Sequence, residues 1–552
     1  MESEQSGGIG FESGTTARNN VICHLEEHRQ SQPDHLALRW STPDGEISQL
    51  SYGDLAARVE FTAAGFKRLG LGTGDRAFIF VPMSAELYVV MFAVQRIGAI
   101  AVFLDSWARG DQLADCGQQV EPRAFIGPEA AFALAAQAPE LAEIPLRIVI
   151  GPHQSDYTAA VEDLVAAQIA CPMEPVAGDH PALITFTTGS SGSPKGAERS
   201  HRFLCAQHRA LDREIPYRED DIDLPVFPVF ALNNLAGGVS TVLPAIDLAR
   251  PAPEDGARLA AQMKQAGVTT STLSPSLLRG LMASGHAGDL PGLRRVITGG
   301  APISSDDAAA FGAFAPGAEL HILYGSTEVE PIAHLAARDM PAEGDGDGVC
   351  LGRVSEGLQY RFIRPSHDPV ELDEQGWAPW EVAKGNVGEL VVQGEHVCRG
   401  YWRNPRAFSR AKIRDAAGIV WHRTGDVAYE DRQGRLWMVG RVHSTIFREG
   451  ELLFPVKPEI LMKRLPFVLA AGYVGVPHAE LGEEAVAAFS LLEGHAAPDA
   501  ENQVLECLRA AEVTVDRVVR LDVLPLDPRH HSKVEYGDLR LLLTSGKSHH
   551  GD

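Results

Sequence analysis

The 552-residue chain has no excess of basic residues: 49 Lys plus Arg stand against 73 Asp plus Glu, a formal net charge of −24. That balance lacks the electrostatic footprint a nucleic-acid backbone or an anionic lipid surface requires, so neither is the expected partner. A small anion remains open, because a single ligand needs only a local set of donors. Paired cysteines are missing too. Cys23, Cys116, Cys171, Cys205, Cys350, Cys398 and Cys507 are scattered without a C-x-x-C spacing, which excludes a zinc ribbon or disulfide frame and fits a reducing compartment. No long hydrophobic run is free of charge. The most apolar stretch, 87–104, carries Gln95 and Arg96 at its middle, and an arginine at a bilayer centre costs about 3 kcal/mol; it reads as buried protein. Residues 1–16 show no basic start followed by an apolar segment, which predicts no secretory leader and a cytoplasmic protein. Internal repeats and long low-complexity segments are absent from the sequence.

What is present is an alternation. The run 76–81, the helical spacing of Leu87, Val90, Met91, Val94 and Ile97, and the run 99–104 read as strand, helix, strand. Further strand-like runs lie at 124–126, 146–150, 182–186, 295–297 and 321–323. Strands separated by helix-length segments predict an α/β fold, with parallel-rich sheets covered by helices and ligand loops at strand ends. From about 349 the texture becomes short strands bounded by glycines, at 388–394 and 434–440. A helix-like 457–465, an apolar 467–476 and a helix-like 500–511 follow. The expected organisation is therefore a large N-terminal domain, 17–441, with a β-rich subdomain at about 349–441, and a small α+β C-terminal domain, 442–543. Residues 1–16 and 544–552 are expected to be disordered ends.

Four loops carry the chemistry. Thr187-Thr188-Gly189-Ser190-Ser191-Gly192, followed by Ser-Pro-Lys195-Gly, comes directly after a predicted buried strand. Its glycines let the backbone approach a ligand, its hydroxyls donate hydrogen bonds and Lys195 adds positive charge, as an anion cradle needs. It is not a Walker A loop, since two residues separate Gly192 from Lys195 and no hydroxyl follows the lysine. Tyr324-Gly325-Ser326-Thr327-Glu328 also follows a predicted strand, and a carboxylate there suits a hard cation shared with phosphate oxygens. His422-Arg-Thr-Gly-Asp426 offers an acidic acceptor for vicinal hydroxyls, or an Asx turn. Pro528-Arg-His-His-Ser-Lys533 places a lysine near the C-terminus.

The order and residues of these loops resemble the adenylate-forming superfamily of acyl-CoA synthetases, luciferases and peptide-synthetase adenylation domains. Thr187 to Gly196 resembles its phosphate loop, and Tyr324 to Glu328 its Y-G-x-T-E. His422 to Asp426, with Asp431, Gly434, Leu436, Gly440 and Arg441, resembles Y-R-T-G-D and D-x-x-G-x-L-x-x-x-G-R. The resemblance implies a carboxylate attacking the α-phosphate of ATP, loss of pyrophosphate, and transfer of the acyl group to an acceptor. It implies that Thr187 to Lys195 hold the β/γ-phosphates, Thr327 the α-phosphate and Glu328 a Mg²⁺ ion. Asp426 and Arg441 would hold the ribose, and Gly299-Gly300-Ala301-Pro302 with Tyr324 the adenine. Lys533 would contact both carboxylate and phosphate, on a small C-terminal domain that is mobile about a hinge at His443. A hinge histidine either titrates near neutrality or is simply a polar residue there.

Two positions depart from the family pattern. Ala231, in Phe227-Pro-Val-Phe230-Ala231-Leu232, replaces the histidine of P-x-F-H, and Leu452 stands where an arginine usually follows the Phe447-Arg-Glu-Gly450 loop. F-P-x-F-A-L and the Arg529-His530 pair resemble the branch of diverged fatty-acyl-CoA ligases and olefin β-lactone synthetases. Phe227, Phe230, Leu232 and Leu235 favour an apolar acyl chain or are core contacts; Asn233 and Asn234 add polar recognition or cap a helix. The first expectation is acyl-CoA formation with coenzyme A as acceptor, a carrier protein being an alternative acceptor. The second is β-lactone closure of a 3-hydroxy acid, and the third a silent nucleotide-binding relative.

Overall fold

The computed structural model describes residues 14–42, 44–104, 110–138, 141, 143–188, 194–250, 252–285, 290–341, 346–492, 499–526 and 534–545. It is mixed α/β, as the alternation predicts, and separates into two compact units. One comprises Met1–Asp339, Val354–Gln359 and Gln393–His422; the other comprises Met340–Arg353, Tyr360–Val392 and Arg423–Asp552.

The first unit is built on two sheets. In one, Pro194–Ser200, Pro181–Thr188, Ile100–Phe103, Arg76–Ile79, Ala124–Pro128, Leu146–Ile150 and Ala159–Ala160 are neighbours in that order. All pair in parallel except Pro181–Thr188 with Pro194–Ser200, the hairpin that flanks the phosphate-loop motif. In the other, Ile222–Pro225, Thr270–Leu273, Arg295–Gly299 and Glu319–Ser326 run parallel side by side. The strand Val329–Ala336 then turns back antiparallel on Glu319–Ser326. Helix starts follow the serines. Ser51 and Ser304 make capping boxes with Asp54 and Asp307, and Ser84 and Ser200 cap the helices Ala85–Arg96 and His201–Glu214.

The most apolar stretch of the sequence folds into most of the helix Ala85–Arg96, in which every residue but Glu86 is buried, and the strand Ile100–Phe103. The polar end of the helix is fully partnered: Arg96 pairs with Glu26 at 2.5 Å and donates to the Cys171 carbonyl, and Gln95 donates to the Ala182 carbonyl. A buried helix in a core can be apolar all round. Among the described residues no helix is long and apolar enough to cross a membrane.

Gln359–Ile363, Gly388–Gln393, Val420–Glu430, Leu436–Arg441 and Val349–Val354, which belong for the most part to the second unit, form one run of strands. Arg423 is buried there in a two-pronged pair with Glu389 and also donates to the carbonyls of Asp368 and Ser366. The C-terminal part centres on the long hairpin Val468–His478 and Gly482–Leu491, with Arg517–Arg520 parallel beside it. Alternate residues serve two cores. Tyr473, Ala485, Ala487 and Phe489 pack with Val504 and Leu508 of the helix Ala500–Ala510. Val474, Val476, Val486 and Ala488 pack with Leu539 and Leu543 of the helix Tyr536–Thr544. Both faces are covered, so the strand reads as a continuous apolar run.

Candidate functional site

The motif residues of the first unit gather at strand ends. Pro225 lies in register with Thr272, Leu273 with Thr298, and Gly299 with Leu323, so the carboxyl ends of four parallel strands line one edge. Such an edge is where open α/β sheets bind ligands. Phe227, the segment Gly299–Pro302 and the segment Tyr324–Glu328 all leave from it. Gly299 is required by contact, because a Cβ there would sit 2.5 Å from the Leu323 carbonyl oxygen. Gly300 has φ +80°, which favours glycine.

Ser326 pairs with Val329, so Thr327 and Glu328 form a two-residue turn. The turn is fastened to the strand that leaves the phosphate-loop motif. Arg199, on that strand, donates from Nη2 to the Thr327 carbonyl at 2.6 Å. Tyr401 bridges to Ala197 of the same strand, and its hydroxyl donates to Glu328 Oε1 at 2.7 Å. The Cys398 amide donates to the Glu328 carbonyl at 2.7 Å. Lys412, buried, donates to the Cys398 carbonyl and lies 5.4 Å from the Tyr401 ring centroid. Burial alone would raise the Glu328 pKa, but His422, Lys412 and the Tyr401 hydroxyl outweigh it and hold the carboxyl below its ordinary value. Glu328 is therefore an ionised carboxylate at neutral pH. Burial pushes the neighbouring Glu330 up to about 7, against the pull of Arg199.

At the phosphate-loop motif the register Thr187 to Lys195 and Thr188 to Pro194 brings the two ends of the loop together. Gly189, Ser190, Ser191 and Gly192 lie outside the described residues. Lys195 is half-buried on the returning strand. Phe227 precedes the helix Pro228–Gly237, and Phe230 packs with Leu211, Ile215, Ile297 and Leu323. Ala231 belongs to the main core, Asn234 donates to Asp223 Oδ2 at 2.7 Å, and Asn233 lines an apolar cavity.

In the second unit, Asp426 and Arg441 are directly cross-strand and form an ion pair, Nε to Oδ1 at 2.6 Å. Asp426 is buried whereas Arg441 is half exposed. Gly440 has no room for a side chain, since a Cβ would meet Pro455 Cδ at 2.8 Å. His443 follows in a 3₁₀ turn, its ring edge-on to Tyr536 at 6.0 Å. Desolvation and the Arg441 guanidinium lower its pKa to about 4, which favours a plain polar residue at this position over one titrating near neutrality. The loop holding Leu452 is a tight hairpin: Glu449 and Gly450, with φ of 51° and 85°, link Ile446–Arg448 to Glu451–Leu453, and Leu452 faces Phe447. Lys533, Arg529 and His530 lie outside the described residues.

The sequence did not single out Arg199, Glu330, Tyr401 or Lys412. Glu330 sits on the strand that leaves the Thr327–Glu328 turn, whereas Arg199, Tyr401 and Lys412 are single polar residues that only the pairing of distant segments brings there. The donor set at that turn fits a Mg²⁺ ion in one specific way. Among the described residues there is no group of three metal-binding side chains; Glu328 would offer such an ion one carboxylate, the usual complement to phosphate oxygens and water.

The AMP-binding enzyme family matches residues 25–402. The chain is 31% identical over 544 residues to an olefin β-lactone synthetase of Stenotrophomonas maltophilia, covering 93% of this chain and 96% of that protein. It is 30% identical over 539 residues to an indoleacetate–CoA ligase of Aromatoleum aromaticum, with coverages of 94% and 97%. Among solved structures, ATP-bound MatB from Rhodopseudomonas palustris matches with a TM-score of 0.77 at 24% identity, over 95% of this chain and 98% of that one; the likeness is one of fold.

Proposed function

We propose how this chain, which belongs to the AMP-binding enzyme family, carries out its chemistry: it activates an apolar carboxylic acid as an acyl-adenylate with release of pyrophosphate, then passes the acyl group to coenzyme A. The observation that carries this reading is the ionised Glu328 on a two-residue turn fastened to the strand that leaves the phosphate-loop motif. Catalysis of phosphoryl and adenylyl transfer is largely positioning and charge neutralisation. Thr187 to Lys195 bind the β/γ-phosphates, Thr327 the α-phosphate, and Glu328 a Mg²⁺ ion that supplies positive charge beside them. The segment Gly299–Pro302 with Tyr324 takes the adenine, Asp426 and Arg441 the ribose. Residues 442–543 act as the mobile lid carrying Lys533. The reducing compartment expected from the cysteines is the cytoplasm.

A second reading, β-lactone closure of a 3-hydroxy acid, is favoured by the 31% identical olefin β-lactone synthetase and by Ala231 and Leu452. Carboxylate-dependent ATP–pyrophosphate exchange over a panel of acids, with product mass measured with and without coenzyme A, tests both. A thioester supports the first reading. Loss of water from a 3-hydroxy acid without thiol supports the second, and no exchange with any acid overturns both.

Two further results are expected. Lys412 helps keep Glu328 ionised, so Lys412→Met raises the Glu328 pKa. A carboxylate with a higher pKa is protonated at higher pH, so the acid limb of the exchange rate moves up in pH; an unmoved limb removes Lys412 from this role. With His443 neutral above about 4, the rate of the second step stays flat between about pH 6 and 8 so far as this residue decides it. A step in that window that His443→Asn abolishes would contradict the assignment.

A further inference from the structure

Within the first unit, four helices line an apolar cavity with about 60 Å³ open to the centre of a water molecule, room for several waters. Leu204, Gln207, His208 and Leu211 face it from the helix His201–Glu214 at spacings of three and four, and Val229, Leu232, Asn233 and Ala236 do so from Pro228–Gly237. Each stripe is apolar except in the middle. There His208 Nδ1 meets Asn233 Oδ1 at 2.9 Å, and the His24 ring stands edge-on against His208 at 5.1 Å. His208 and Asn233 also line a second, polar cavity of about 280 Å³ with Asp212, Tyr217 and Gly238. The hydrogen-bonded pair thus forms the partition between an apolar chamber and a polar one.

On the apolar side three buried polar atoms have no partner: Gln207 Nε2, His24 Nε2 and Arg199 Nε. Gln207 is 4% exposed and Arg199 5%. An unpaired buried donor costs about 1–3 kcal/mol, so donors in an otherwise apolar chamber point to an acceptor that arrives with the ligand. Arg199 is held by the Thr327 carbonyl, next to the turn assigned to the α-phosphate, which places that end of the chamber beside the reacting carboxylate. The histidines at the partition are neutral, because burial lowers His24 to about 3 and His208 below its ordinary value. A second carboxylate there would lie buried beside neutral rings, which is expensive.

We propose, resting on the adenylation reading above, that this cavity takes an aliphatic acyl chain bearing a neutral oxygen, a hydroxyl or keto group, which accepts from Gln207 Nε2 in front of the His208–Asn233 partition. Gln207 is then a specificity-determining residue, and the preferred acid is neither a plain alkanoic acid nor a dicarboxylic one.

The test is ATP–pyrophosphate exchange with straight-chain acids of matched length: unsubstituted, with an oxo or hydroxy group stepped along the chain, and with a terminal carboxyl. At one oxygen position kcat/KM should exceed that of the unsubstituted partner about tenfold, the worth of one net hydrogen bond at the upper end of its range. The dicarboxylic acid should fall below both. Gln207→Leu should bring the ratio of oxygenated to plain acid towards one, and a ratio of two substrates is insensitive to any loss of folded enzyme. No favoured oxygen position, a ratio that survives in Gln207→Leu, or preference for the dicarboxylic acid overturns the inference while leaving adenylation standing. No exchange with any acid overturns the adenylation reading, and the inference with it.

Discussion

Lys533→Ala should lower carboxylate-dependent ATP–pyrophosphate exchange by about three orders of magnitude while leaving consumption of supplied acyl-adenylate near the wild-type rate. In the first half-reaction a carboxylate must approach a phosphate, and two unit charges about 4 Å apart repel by about 4 kcal/mol at an effective dielectric constant of 20. A cation between them removes that repulsion, and 4 kcal/mol in a barrier is about 10³ in rate. In the second half-reaction the acyl carbon is already bonded to phosphate and the repulsion no longer arises. Both half-reactions measured on one preparation separate the roles. Equal losses in the two would mean that Lys533 supports the fold or the lid rather than the meeting of the anions.

Glu328→Gln should cost about 10²–10³ in exchange rate at millimolar Mg²⁺, the usual scale for removing one charge-stabilising group from an active site. The amide keeps the shape and can still accept from the Tyr401 hydroxyl, so the turn between Ser326 and Val329 should persist. Lys412 keeps its hydrogen bond to the Cys398 carbonyl but loses a carboxylate that offsets its burial, an effect on stability of about 1–3 kcal/mol. Thermal unfolding and exchange, titrated with Mg²⁺ in parallel, distinguish a lost cation ligand from a damaged fold. Wild-type exchange at saturating Mg²⁺ would rule out Glu328 as that ligand.

Local grammar made much of the fold legible. The alternation of apolar runs with helical spacing predicted the strands Arg76–Ile79 and Ile100–Phe103 around the helix Ala85–Arg96, because side-chain periodicity reports which faces are buried. Arg96 correctly marked that helix as interior protein, its charge being met by Glu26. The long hairpin strand Gly482–Leu491 was not identified, since two-sided burial erases the period of two that marks a half-exposed strand. The motif loops were readable because glycines, hydroxyls and one carboxylate in a fixed order carry their chemistry with them.

The amino-acid order by itself therefore determined the alternating α/β architecture, the phosphate-loop motif and the candidate cation-binding carboxylate, all of which depend on residues within a few positions of one another. Only the tertiary structure decided the company Glu328 keeps, the contact that forbids a side chain at Gly299, and the cavity bordered by His208 and Asn233. Those depend on Arg199, Tyr401, Lys412, Leu323 and His24, which come from separate segments, and a pairing between distant segments leaves no local period or spacing to read.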